Sequence, residues 1–128
     1  MANKTLNIIE SAYRATIEEQ DDTAIWITHA MKGAGGSFSV LLRGNAVNYA
    51  INGQNASGVS FGEWKQTQPA QVFNDVAGLV GKGVEVYVAE EDLLQRGIER
   101  SEVASNCKLV NRAGIAALFQ DHDRIWHW

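Results

Sequence analysis

Short runs of β-branched and apolar residues recur along this chain and are separated by segments with other patterns. The run Val84–Val88 interleaves three valines with Glu85 and Tyr87, which is typical of a strand. Thr5–Ile9 and Phe38–Leu42 are similar β-prone runs. Two further segments near the C-terminus, Cys107–Asn111 and Arg124–Trp128, complete the pattern. The chain is therefore predicted to contain five strands.

The segments between the strands carry helical signals. Val72, Phe73, Val76, Leu79 and Val80 follow the i, i+3, i+4, i+7 spacing of an amphipathic helix, which Pro69 can start. Capping side chains and glycines mark the ends of the other predicted helices. The further predicted helices are one capped by Asp21-Asp22-Thr23 and running to Met31, one carrying Ala46, Val47, Tyr49, Ala50 and Ile51, and a short one over Gly114–Gln120.

Strands that alternate with helices predict an α/β fold, here a three-layer α/β/α arrangement with a mainly parallel five-stranded sheet. The 128 residues fit one domain over residues 1–128, with enough length to bury a core. Glu10–Gln20 is predicted to be a loop or a poor helix. Asn52–Thr67 is predicted to be the longest stretch without regular structure.

The first candidate for a binding site follows the third strand. Ala89, Glu90, Glu91 and Asp92 lie where a helix begins, and Gly97 ends that helix. Open α/β sheets bind ligands at the carboxyl ends of their strands. By the same rule Arg43 and Asn45, which follow the second strand, are candidates for binding an anion.

The acidic residues have two interpretations. Glu90, Glu91 and Asp92 form a cluster that can share a proton or a cation, as acid/base catalysis or metal binding requires. Acidic side chains in the first turn also stabilise a helix through its dipole without any catalytic role. The second interpretation is favoured, since no histidine lies nearby in the sequence to complete a metal site.

Composition and charge exclude several classes. The formal net charge of −4, with scattered basic residues, argues against a nucleic-acid partner. No apolar run approaches the roughly 20 residues of a membrane span, and Asn7 and Glu10 interrupt the N-terminal apolar run, unlike a signal peptide. We therefore expect a cytoplasmic protein. Neither a P-loop nor a GxGxxG motif follows a strand, so no nucleotide cofactor is expected.

The single cysteine and the histidines give little indication of a metal site. Cys107 has no partner for an internal disulfide and no CxxC neighbour. It is a candidate persulfide carrier beside Lys108, although a buried core cysteine is favoured. His29, His122 and His127 form no HxxxH or HxH pair, so a solvated or interface role is favoured and no metal site is predicted.

Large aromatic residues occupy unusual positions. Phe61 and Trp64 lie in the polar segment Asn52–Thr67, and Trp126 and Trp128 lie at the C-terminus. Exposed aromatic side chains are enriched at protein interfaces. We interpret these four residues as candidate subunit contacts, with local core packing as the alternative.

Three segments of the chain resemble the DsrE/DsrF-like family of small sulfur-relay proteins. They are GVEVYV followed by RGI, SVLLRGNAVNYAINGQ over Ser39–Gln54, and the terminal DRIWHW. The resemblance implies the same five-stranded fold, assembly into trimers or hexamers, and sulfur-relay proteins as partners. Sulfur-carrying members have a cysteine just after the GVEVYV strand, where this chain has Ala89-Glu90-Glu91.

These observations predict a non-catalytic, oligomeric DsrE-like protein, a structural or regulatory relative of sulfur-relay subunits that binds a partner protein or a small ligand. The alternative is a sulfur-transfer enzyme or carrier that uses Cys107 or a site at a subunit interface.

Overall fold

The structure of the protein is a computed structural model that describes residues 3–13, 21–54 and 57–128. In chain order its strands are β1 (Lys4–Ile9), β2 (Ser37–Leu42), β3 (Ser60–Phe61), β4 (Trp64–Lys65), β5 (Glu85–Ala89), β6 (Lys108–Val110) and β7 (Arg124–His127). The α-helices are α1 (Thr23–Gly33), α2 (Val72–Gly81), α3 (Glu90–Gln95) and α4 (Arg112–Gln120). Two 3₁₀ helices span Gly44–Ala50 and Arg100–Glu102.

Five of the strands form one sheet in the order β6-β5-β2-β1-β7, and all of its neighbouring pairs are parallel. The predicted three-layer α/β/α fold is therefore confirmed, and its five predicted strands are β1, β2, β5, β6 and β7. The sequence left their order open. No helix among the described residues combines the length and the apolar character needed to cross a membrane.

The sheet separates two apolar layers. Val40, Leu42, Val86 and Val88 belong to the larger core cluster, together with buried residues of α1, α2 and the 3₁₀ helix Gly44–Ala50. Leu41, the residue between Val40 and Leu42, belongs with Leu6, Ile8 and Leu118 to a smaller cluster. Successive strand residues point to opposite faces, so apolar residues at consecutive positions of β2 fill both layers.

The start of α1 is fixed by a buried polar network. Asp22, which is 1% exposed, accepts hydrogen bonds at Oδ1 from Ala24 N (2.9 Å) and Ile25 N (3.2 Å), as the predicted helix cap requires. The Tyr49 hydroxyl donates to Asp22 Oδ2 and accepts from Tyr13 N. One side chain of the 3₁₀ helix thereby joins α1 to the segment that follows β1.

Three predictions about local structure were wrong. The predicted helix after β2 is a 3₁₀ helix that ends at Ala50, and Ile51 instead forms an isolated antiparallel bridge with Val103. Asn48 Nδ2 donates to Asn45 O (2.8 Å), so a side chain takes a carbonyl that an α-helix would bond through its backbone. The second error is the start of α2, which begins at Val72 rather than at Pro69.

The third error concerns Asn52–Thr67, which is not wholly irregular. β3 and β4 form an antiparallel hairpin in which Phe61 pairs with Trp64. The turn between them contains Gly62 at a φ of 59°, a left-handed conformation that favours glycine. Residues 55 and 56 of this stretch, and residues 14–20 of the predicted loop Glu10–Gln20, lie outside the described residues.

Candidate functional site

The carboxyl ends of the five parallel strands meet at one edge of the sheet, as the sequence predicted for the candidate site. The residues that follow these ends are Glu10, Arg43, Glu90, Asn111 and Trp128. The chain leaves β5 into α3 on the face of the larger core, where Leu93 is buried. It leaves the adjacent β6 into α4 on the opposite face, where Leu118 is buried. The gap between β5 and β6 is thus the topological switch point, the usual ligand crevice of an open α/β sheet.

The three predicted acidic residues begin α3 and all have partners. Glu90 forms an ion pair with Arg100. Glu91 Oε2 accepts a hydrogen bond from Arg112 N at the start of α4 (3.1 Å), and Asp92 Oδ2 accepts one from Gly44 N (2.8 Å). The acidic cluster therefore spans the switch-point crevice and bonds to three different segments of the chain.

Glu91 has an additional feature. Its Oε1 atom is buried and has no hydrogen-bond partner among the described residues. The other oxygen of the same carboxylate occupies the N-terminus of α4, where the helix dipole favours a negative charge. The anion position at this helix is thus filled by the protein's own side chain.

Ala89, the position just after the strand, is 2% exposed and lies within the larger core cluster. It is the N-terminal boundary residue of α3 and supplies no capping side chain. A side chain at this position faces the protein interior rather than solvent. The structure therefore places the predicted ligand residue Ala89 under the acidic cluster rather than on an accessible surface.

Arg43 and Asn45 lie at the same edge but have separate partners. Asn45 Oδ1 accepts hydrogen bonds from Arg96 Nε (3.1 Å) and Nη2 (3.0 Å), and Arg96 Nη1 donates to Asp92 O (3.1 Å). Arg43 Nε forms an ion pair of 2.7 Å with Glu10 Oε1. Asn45 is thus joined to the acidic cluster, whereas Arg43 belongs to a second group of charges.

That second group includes residues that the sequence prediction missed. Glu10 Oε1 also lies 3.2 Å from His127 Nε2, so one carboxylate stands between a guanidinium and an imidazole. Glu10 directly follows β1, and the rule that selected Arg43 would have selected it too. No local sequence pattern indicated that His127, Arg96 and Arg100 take part, because these residues reach the edge through the tertiary fold.

Cys107 lies one residue before β6 and is partly buried against the larger core cluster. Its Sγ lies 3.7 Å from Asn106 Oδ1. Burial raises the pKa of the Cys107 thiol to about 11, which keeps it protonated near neutral pH. Among the described residues, no group of three or more His, Cys, Asp or Glu side chains is arranged to hold a metal ion.

The four candidate interface residues lie in two separate parts of the structure. Phe61 and Trp64 on the β3–β4 hairpin are 69% and 53% exposed, and their ring centroids are 5.8 Å apart. Trp126 and Trp128 are partly buried at the end of the sheet. Trp126 packs edge-to-face against Phe38, with ring centroids 5.2 Å apart. The hairpin pair is therefore the more solvent-exposed of the two.

Trp128 is held by several contacts. Its Nε1 donates to Asn7 Oδ1, its backbone N donates to Ile8 O (2.9 Å), and its ring packs against the larger core. Trp126, His127, Trp128 and Ile27 of α1 line a groove of about 430 Å³ beside β7. The terminal tryptophans thus combine core packing with an open apolar surface, and their role as subunit contacts stays a prediction.

Comparison with solved structures identifies proteins of the same fold. The chain is similar to the ychN protein from E. coli, with a TM-score of 0.74, 13% sequence identity and 100% coverage of both chains. It is similar to BT1422 from Bacteroides thetaiotaomicron (TM-score 0.69, 11% identity, 98% of this chain and 95% of the other). It is also similar to MTH1491 from Methanobacterium thermoautotrophicum (TM-score 0.65, 12% identity, 97% and 98%). The latter two are described as proteins of unknown function.

Sequence comparisons add no further relative. No family model matches the chain, and a search of curated proteins found no match. At 11–13% identity the structural similarities establish the fold alone. The structural neighbours fit a DsrE-like fold, in agreement with the fold that the three sequence segments imply.

Proposed function

We propose that this protein is a non-catalytic, oligomeric DsrE-like protein that binds a partner protein or a small ligand, as a structural or regulatory relative of sulfur-relay subunits. One observation carries the proposal. The position where sulfur-carrying relatives have a cysteine is the buried Ala89, and the three acidic side chains that follow it are bonded within the chain.

The electrostatics of this position oppose sulfur transfer. A persulfide carrier needs an accessible thiol that ionises readily, and a helix N-terminus normally helps by lowering the thiol pKa. Here Glu90, Glu91 and Asp92 place negative charge in the first turn of α3. A thiolate beside them would be disfavoured by like-charge repulsion, and burial would disfavour it further.

Cys107 does not replace the missing group. Its thiol is half-buried, and burial raises its pKa to about 11, so only about one molecule in ten thousand carries the thiolate at pH 7. Among the described residues, the hydrogen-bonding partner of Cys107 Sγ is the neutral Asn106 Oδ1 rather than a cation. This environment favours a structural role for Cys107.

Incubation with inorganic polysulfide followed by intact-mass measurement tests the non-catalytic proposal. The wild-type protein should gain no sulfur, and Cys107→Ser is the matched control because it removes the chain's one cysteine. A sulfur atom gained by the wild-type protein and absent from Cys107→Ser would overturn the proposal in favour of a carrier that uses Cys107.

The β3–β4 hairpin supports assembly. Phe61 and Trp64 leave much of their apolar surface in water, and covering it would contribute roughly 3 kcal/mol for each side chain. Their rings are paired by the hairpin register, so a partner would meet an ordered surface rather than two independent side chains. We therefore assign the hairpin as a contact between copies of the chain in a trimer or hexamer.

Light scattering tests the assembly. We expect a mass three or six times the 14.0 kDa of the chain, and a lower mass for a Phe61→Ser/Trp64→Ser variant. Leu94→Ser is the control, since Leu94 is 59% exposed but lies outside the hairpin. A wild-type mass of 14.0 kDa at micromolar concentration would refute the oligomer.

A further inference from the structure

Among the described residues, the backbone groups on the outer edge of β7 have no strand partner. Trp128 N donates to Ile8 O (2.9 Å), and Glu10 N donates to Trp128 O (3.1 Å), so Trp128 bonds to β1 in both directions. Every second residue of a parallel strand bonds to the same neighbour. Trp126 therefore also faces β1, whereas the N–H and C=O groups of Ile125 and His127 point away from it. Within the described part of the chain, β7 is the last strand on this side of the sheet.

Apolar side chains flank this edge. The groove of about 430 Å³ lined by Ile27, Trp126, His127 and Trp128 opens beside the strand. Ile125, on the other face of the sheet, is 44% exposed, and Trp26, next to Ile27 in α1, is 54% exposed. Both faces of the edge thus expose apolar surface next to free backbone donors and acceptors, which is the surface that strand addition uses.

We propose that β7 pairs with β7 of a second copy of this chain, antiparallel and about a two-fold axis, so that two sheets join into one. In the register centred on Trp126, Ile125 of each copy lies opposite His127 of the other. In each of these two pairs, the outward N–H of each residue donates a hydrogen bond to the outward C=O of the other. This inference rests on the proposed homo-oligomer and identifies the contact that builds it.

The same register allows a cation–π contact at each end of the paired segment. Arg124 lies opposite Trp128 of the second copy, where a guanidinium can stack on an indole face. The two arginines lie at opposite ends of the paired segment, about 13 Å apart along the strand and therefore largely screened from each other. β7 itself carries no acidic side chain in a chain whose net charge is −4, so the strand avoids the repulsion that two acidic surfaces would have. Trp126 of each copy meets its counterpart at the axis and covers the groove.

The symmetry of this contact limits the assembly. A two-fold, self-complementary contact requires an even number of subunits. A trimer built through the β3–β4 hairpin and joined to a second trimer through β7 is a hexamer. The β7 contact therefore favours the hexamer over the isolated trimer.

A disulfide cross-link tests the register directly. In a Cys107→Ser background, Trp126→Cys places two thiols at a non-hydrogen-bonded antiparallel pair, where Cα atoms lie about 4.5 Å apart and a disulfide can form. We expect a covalent dimer on a non-reducing gel. Leu94→Cys in the same background is the control, since this 59% exposed position lies away from the edge and should give no such dimer.

A second variant tests the backbone pairing. Ile125→Pro removes an outward N–H and leaves the hydrogen bonds between β7 and β1 in place, so it should halve the mass of the assembly. Two outcomes would overturn the β7 contact and leave the oligomer proposal intact. One is a wild-type oligomer with an odd number of subunits. The other is an assembly that keeps its mass in Ile125→Pro and does not cross-link through Trp126→Cys. A monomeric wild-type protein would overturn both. If Ile125→Pro does not fold, the cross-link decides.

Discussion

The reactivity of Cys107 distinguishes a structural cysteine from a sulfur carrier. Burial raises the pKa of its thiol from 9.0 to about 11, which lowers the thiolate fraction near neutral pH by about 100-fold. A more basic thiolate is intrinsically more nucleophilic, and a Brønsted coefficient of about 0.4–0.5 returns about 6- to 10-fold of that loss. Alkylation of the native protein should therefore be about 10- to 16-fold slower than that of an unburied thiol, before any steric effect of the surrounding core.

The measurement is the rate of alkylation by iodoacetamide as a function of pH, followed by intact mass. The same protein unfolded in urea supplies the reference thiol, and Cys107→Ser supplies the background. We expect the native rate to rise with an apparent pKa of about 11, well above that of the unfolded protein. A native apparent pKa at or below about 8.5, or a native rate equal to the unfolded one, would refute the structural assignment of Cys107.

Four further predictions concern Tyr49, Trp128 and Ala89. Tyr49→Phe removes the hydroxyl that donates to the buried Asp22 and accepts from Tyr13 N, and should lower the free energy of unfolding in urea by about 1–3 kcal/mol; a loss below about 0.5 kcal/mol would contradict this network. Desolvation and the Asp22 hydrogen bond raise the pKa of Tyr49 above its usual 10. The stabilisation is therefore complete below pH 10 and is lost as the pH rises above it. In urea titrations at alkaline pH, the free energy of unfolding should decrease less for Tyr49→Phe than for the wild type. Trp128→Phe leaves the buried Asn7 Oδ1 without its indole donor and should cost about 1–3 kcal/mol by the same assay. Ala89→Cys should give a thiol whose alkylation profile shows an apparent pKa no lower than about 8.5, because burial and the first-turn acids outweigh the helix dipole; a much lower value would mean that the site still favours a thiolate.

The sequence by itself determined the fold class and most of the elements. Residues 39–42 of β2 are buried on both faces, and the buried valines of β5 alternate with the exposed Glu85 and the partly buried Tyr87, so both patterns can be recognised without any tertiary information. The spacing in α2 and the Asp22 cap of α1 are likewise local properties of the chain. The acidic start of α3 was predicted for the same reason, because a helix dipole acts within a single turn.

The tertiary structure alone decided what those residues do. Strand order, and with it the position of the switch point between β5 and β6, depends on how the crossovers pack. The partners of Glu90, Glu91 and Asp92 come from segments 10 to 48 residues away in the chain, so no local pattern could show that the acidic cluster is engaged. The exposure of Phe61 and Trp64 on their hairpin is also a property of the packed chain, since exposure is defined only once neighbouring elements are in place. The same holds for the outer edge of β7, which no described strand covers.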